Sequence, residues 1–193
     1  AFDFITRTWT LLDDDGPSKR TYPSLAWDDE TQSLYLFGGM TNTSPMTIDV
    51  NMKLWRWDGE EWERLATGGE KPSQRTFLSE TWDSKRRRLV LFGGQIGDYW
   101  SYAYNDTYAL DIETLEWTRL DDGTGPSTRM HGHLEYDEAR DRYLMFGGHT
   151  DIGDGNDLWT MDPESGVWTT ERAADESLLP ELTQRLIQAS ALS

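Results

Sequence analysis

Leu89-Val90-Leu91-Phe92-Gly93-Gly94 decides the fold, because the chain writes it three times. Leu34-Tyr35-Leu36-Phe37-Gly38-Gly39 comes before it and Tyr143-Leu144-Met145-Phe146-Gly147-Gly148 after it. Four large apolar residues stopped by two glycines are too short for a buried helix and predict a strand covered on both faces. The glycines, lacking Cβ, admit positive φ and let a neighbouring backbone come close. Gly38 to Gly93 is 55 positions and Gly93 to Gly147 is 54. Self-similarity at such a period marks a repeat architecture.

Working outward, Gly16-Pro17-Ser18-Lys19-Arg20 recurs as Lys71-Pro72-Ser73-Gln74-Arg75 and Gly125-Pro126-Ser127-Thr128-Arg129. Seven positions after each arginine stand an aromatic and an acid: Trp27-Asp28, Trp82-Asp83 and Tyr136-Asp137. Beyond the glycines and a variable loop come Leu54-Trp55, Thr107-Tyr108 and Leu158-Trp159, and each unit closes on a tryptophan, Trp62, Trp117 or Trp168. Each unit thus offers four short strands, a to d, separated by turn formers; in the second unit they fall near 77–82, 89–92, 107–111 and 116–120. Four antiparallel strands with aromatics at fixed places, repeated in this way, predict propeller blades.

The double glycine, the aromatic-acid pairs and the closing tryptophan resemble Kelch repeats, from residue 1 to about residue 172. The resemblance implies an all-β fold, a Kelch-type β-propeller segment of four-stranded antiparallel blades. Many Kelch units carry histidine three places after the arginine, whereas here Pro23, Leu78 and Gly132 stand there.

The first residues align with the middle of a c strand, since Asp3 to Trp9 and Asp111 to Trp117 are both six positions. The expected division is therefore 1–12 as the end of a preceding blade, 13–65, 66–120 and 121–172 as three blades, and 173–193 as a tail. Three blades do not close a ring, so the remaining blades are expected from the same parent chain, from another chain or from a copy. In the tail, Leu178, Leu179, Leu182, Leu186 and Ile187 fall at helical spacing and predict a short C-terminal amphipathic helix over 177–191. It reads as a cap on the last blade or as a docking helix.

Charge limits the partners. With 18 basic and 35 acidic residues the net charge is −17, a field that repels phosphate backbones and anionic membranes. Nucleic acid is not expected, and no apolar run approaches the roughly 18 residues of a membrane-spanning helix. There is no cysteine, which excludes disulfides and thiolate metal sites and leaves the compartment open. Lys85-Arg86-Arg87-Arg88 reads as a solvated hairpin turn rather than a localisation signal.

The b–c loops, near 40–52, 95–105 and 149–156, vary most, and variation on a repeated scaffold is where specificity resides. Tyr99, Trp100, Tyr102 and Tyr104 crowd the middle loop, and such aromatics either anchor an interface or fold back over the blade. Arg20, Arg75 and Arg129 share one blade position at the same end, either paired with acids inside each blade or forming a positive mouth for carboxylates. His131, His133 and His149 belong to the third blade and are expected to be neighbours. With Asp151 they offer a candidate zinc or iron set beside the plainer reading of packing and hydrogen bonding.

Enzymes on Kelch-like scaffolds imply motifs this chain lacks. A galactose-oxidase-type radical site needs cysteine, and the spaced glutamate, aspartate and histidine of plant specifier proteins are absent. The expected role is a non-catalytic protein-interaction or scaffold module, an acidic complex subunit with no cofactor. The alternative is a metal-dependent enzyme subunit or carbohydrate-binding domain using the same loop face.

Overall fold

The three Phe-Gly-Gly runs are each the second strand of an antiparallel sheet in the computed structural model, which describes residues 1–13, 15–44, 47–96 and 103–172, with backbone alone over 42–44 and 47–48. In chain order the strands are β1 (Phe2–Asp3), β2 (Thr8–Trp9), β3 (Ser24–Asp28), β4 (Ser33–Phe37), β5 (Met40–Ser44), β6 (Thr47–Val50), β7 (Leu54–Trp57), β8 (Trp62–Leu65) and β9 (Gly68–Gly69). They continue as β10 (Ser79–Asp83), β11 (Arg88–Phe92), β12 (Thr107–Asp111), β13 (Glu116–Asp121), β14 (Arg129–Met130), β15 (His133–Asp137), β16 (Arg142–Thr150), β17 (Gly153–Met161) and β18 (Trp168–Arg172).

The first sheet has the order β3-β4-β7-β8, and the second β10-β11-β12-β13 with β9 added in parallel at its edge. The third runs β14-β16-β17-β18, with β15 also paired to β16. β1 and β2 form a hairpin that matches Phe2 with Trp9, as β12 and β13 match Leu110 with Trp117. The helix expected over 177–191 lies outside the described residues.

Two-sided burial follows from the period of two. Leu89 and Leu91 of β11 join Ala26, Tyr35, Phe37 and Leu54 of the first sheet in one core, while Val90 and Phe92 face Leu134, Tyr143, Met145 and Met161 of the third. Adjacent residues of one strand therefore feed two different cores, and a run with no polar position is what such a strand needs. The closing tryptophans bridge sheets: Trp117 lies 5.1 Å from Phe37 and Trp168 5.5 Å from Phe92, ring centre to ring centre.

The double glycine is equally demanding. Gly93 has φ +62°, and a Cβ there would come within 2.5 Å of the Arg129 carbonyl oxygen in the next sheet. Gly93→Ala is expected to cost about 2 kcal/mol or more, from the left-handed backbone alone and then from the clash. Gly59, also at positive φ but with open space around it, is the control, and urea midpoints of the two alanine variants separate the two causes.

Candidate binding face at the loop end of the blades

Strand a enters each blade beside the b–c connection, and the two ends are tied by backbone pairs. Thr21 bridges Met40, Thr76 bridges Gln95, and Arg129 and Met130 pair with Thr150 and His149. In the first and third blades the b–c connection itself continues as a hairpin, β5–β6 and the far ends of β16–β17.

The three arginines are held alike. Each Nε donates to the carbonyl of the serine two residues before it, Ser18, Ser73 or Ser127, and each Nη1 donates to the first glycine carbonyl, Gly38, Gly93 or Gly147. Arg75 and Arg129 are buried and complete the arrangement with a carboxylate of their own blade. Arg129 reaches Asp157 at 2.7 and 2.8 Å, and Arg75 grips Asp106 in the same forked manner. Burial resists ionisation of Asp157, yet the bonds from Arg129 and the Trp159 indole hold its carboxyl below the ordinary range. Tyr104 covers Arg75, its ring centre 3.7 Å from the guanidinium carbon. These two arginines are spent inside their blades, so no mouth of three cations exists. Arg20 alone meets no carboxylate among the described residues.

Two residues beyond each arginine the sequence places an aromatic ring, Tyr22, Phe77 or His131, and all three have left-handed backbone, with φ of 53°, 57° and 55°. The rings converge: Tyr22 lies 4.9 Å from Phe77, and Phe77 lies 4.5 Å from His131. Tyr22 stays largely exposed at the end of this step. Non-glycine residues in that backbone region concentrate at functional sites. The shared position of three aromatics was visible in the sequence; their convergence was not, because the backbone conformation that turns them together has no residue signature.

The same conformation changes the histidine set. Positive φ at His131 interrupts strand a between β14 and β15 and turns its ring toward Phe77, so strand alternation no longer relates it to His133. His133 points outward beside Glu135, 3.7 Å away, His149 bonds Asp154 at 2.8 Å, and Asp151 sits exposed in the β16–β17 turn. Among the described residues no three histidine, cysteine, aspartate or glutamate side chains converge to hold a metal ion. Burial, and then the nearby His149, hold His131 below the ordinary imidazole value. Tyr99, Trp100 and Tyr102 lie outside the described residues.

At the opposite end, the basic run is a rivet rather than a solvated turn. Arg87 reaches back to Asp28 of the first blade at 2.7 Å, while Arg86 reaches forward to Asp141 and Glu164 of the third, both at 2.7 Å. Arg88 bonds Asp83, the Tyr143 hydroxyl and the Pro163 carbonyl.

Stacked four-stranded antiparallel sheets that share two-sided strands and interlocking tryptophans are β-propeller blades. The KLHDC2/KLHL20/DRC7 Kelch-repeats domain matches residues 1–184, and the chain belongs to that Kelch-repeat family. Acyl-CoA-binding domain-containing protein 4 of Arabidopsis thaliana is 32% identical over 146 residues, covering 75% of this chain and 20% of that protein. The Rab9 effector protein with kelch motifs of Danio rerio is 28% identical over 167 residues, 83% of this chain and 46% of the relative. Dynein regulatory complex subunit 7 of Chlamydomonas reinhardtii is 30% identical over 118 residues, 60% of this chain and 10% of the relative. The chain spans less than half the length of each of these proteins.

Proposed function

We propose that the loop end of these blades is a non-catalytic protein-interaction surface within a propeller that further blades complete. The aromatic step of Tyr22, Phe77 and His131 carries this reading. Rings held in a strained backbone, packed on one another and exposed at one end, form the kind of rigid platform that anchors a partner. Two relatives bear names given by what they serve, an effector of Rab9 and a subunit of a dynein regulatory complex, which agrees with a role in assembly.

Completion by further blades is supported by the outward side of the first blade. Leu25 and Trp27 are exposed there, and Trp9, Leu11, Leu34, Trp57 and Trp62 line an apolar cleft of about 470 Å³. The cores between neighbouring sheets are built from the same residue types.

Alanine at Tyr22 or at Trp100 is expected to reduce capture of a cellular protein partner at least about tenfold, the loss a central aromatic anchor produces. Thermal unfolding of each variant should stay within a few degrees of the parent. Full capture by both variants would count against this face.

A further inference from the structure

We propose that the first blade carries a carboxylate-binding site on Arg20, which takes an aspartate or glutamate side chain of an acidic segment in the protein partner. The inference rests on the reading of the loop end as an interaction surface and names the chemistry it recognises.

The chain holds one arginine site in three copies. The acceptors that fix the guanidinium are the same in all three, down to the serine hydroxyl that accepts from Nη2: Ser18 at 3.3 Å, Ser73 at 2.9 Å and Ser127 at 3.1 Å. Nη1 of Arg20 donates to Gly38 at 2.9 Å, as Arg129 does to Gly147. The backbone that carries the acid is conserved too. The Gly93 amide donates to the Asp106 carbonyl at 3.1 Å, and the Gly38 amide to the Lys53 carbonyl at 3.2 Å. Only the side chain differs. Where the second and third blades place Asp106 and Asp157, the first places Lys53, which is exposed.

A planar fork held for bidentate pairing thus has, among the described residues, no anion of its own, and the register position that supplies one in the other blades is an exposed lysine. Arg20 is half-buried, and burial, with no carboxylate among the described residues to offset it, makes its charged form less favourable than usual. Next to it opens a cleft of about 240 Å³ lined by Lys19, Arg20, Thr21, Met40 and Thr41. Neither Lys19 nor Lys53 pairs with a carboxylate among the described residues. In a chain of net charge −17, three cations that no acid among the described residues pairs with form a local exception to the field. The group that fits is the one the fork holds twice elsewhere in this molecule, a carboxylate gripped by two parallel N–H bonds. Tyr22, the exposed end of the aromatic step, follows two residues on in the chain.

The test follows the arginine Nε–H resonances of the ¹⁵N-labelled protein during titration with an end-blocked Gly-Glu-Glu-Gly peptide, and separately with inorganic phosphate. Arg20 is expected to shift and saturate with the peptide in the millimolar range, on the order of what one bidentate pair supplies, while Arg75 and Arg129 stay still. Lys53→Asp restores the internal acid and should weaken the response at least about tenfold in a protein no less stable than the parent. Arg20→Gln should abolish it; if that variant fails to fold, Lys53→Asp decides alone. No shift at Arg20, an undiminished response in Lys53→Asp, or an equal response to phosphate would overturn the proposal. If partner capture remains sensitive to Trp100→Ala while Arg20 ignores the peptide, the interaction face stands and the carboxylate site falls.

Discussion

Asp83→Ala is expected to destabilise the protein by about 3–5 kcal/mol, the cost of removing one partner from a buried charged network. Asp83 is completely buried at the end of strand a in the second blade. It accepts a hydrogen bond from the Tyr143 hydroxyl of the third blade, one from Nε of Arg88 at 3.2 Å and one from the Arg86 amide at 3.0 Å. Arg86 adds an Nη1 contact at 3.2 Å. Tyr143 is itself fully buried, so its hydroxyl has no water to turn to, and burial together with Asp83 pushes its pKa far above the ordinary phenol value. Without the carboxylate, Arg86 keeps Asp141 and Arg88 keeps the Pro163 carbonyl, but the tyrosine loses its acceptor and two guanidinium groups lose their common anion. Asp83→Asn keeps an acceptor without the charge and should fall between the alanine variant and the parent. Lys85→Ala removes an exposed ion pair to Asp141 and should cost less than about 1 kcal/mol. Urea denaturation of the three variants gives the ranking, and a loss under about 1 kcal/mol in Asp83→Ala would remove the rivet from the account of stability.

That rivet shows where the sequence stops being legible. Strand positions were readable because they depend on local pattern: β12 spans 107–111 as expected, and β11 and β13 differ by one residue at one end. Strand a of the second blade begins at Ser79 rather than near 77, because left-handed φ at Phe77 keeps that residue out of the ladder. Lys85 to Arg88 looked like a solvated turn because the acids they meet, Asp28, Asp141 and Glu164, lie more than 50 positions away in other repeats. Long-range electrostatics leaves no local pattern. The arginine fork was half legible: the repeat announced Arg20, Arg75 and Arg129 as equivalent, and aligning the residue before strand c would have separated Lys53 from Asp106 and Asp157. The histidines failed for a backbone reason, since alternation along a strand holds only while φ remains extended.

Glu80 supplies the other large effect, and it is one of pH. It sits in strand a of the second blade, where the repeat puts Leu25 in the first and Leu134 in the third. Burial pushes its pKa up from 4.5 to about 7, against a smaller opposing contribution from the Ser24 hydroxyl across the blade boundary. Between these two values the folded protein holds a proton that the unfolded chain has released, so stability is greatest below 4.5 and falls as pH rises toward 7. Above that, both states are ionised and the loss is complete, at about 2–3 kcal/mol once partial exposure is allowed for. Other groups act elsewhere or in the opposite sense. In Asp28, burial is outweighed by bonds from Arg87, Thr31 and the Glu30 amide, and its carboxyl is held below the ordinary range, so its contribution is lost only in acid. His131 acts with the contrary slope, since burial and the nearby His149 lower its folded pKa and its contribution is lost as pH falls. Comparing the parent with Glu80→Gln and Glu80→Leu cancels the His131 contribution, which all three proteins share. At about pH 8 both variants should be more stable than the parent, and at about pH 5 the difference should largely vanish for glutamine, which matches the protonated acid in shape and charge. Equal urea midpoints for parent and Glu80→Gln at about pH 8 would show that this carboxylate reaches solvent when it ionises and that the blade boundary yields to admit it.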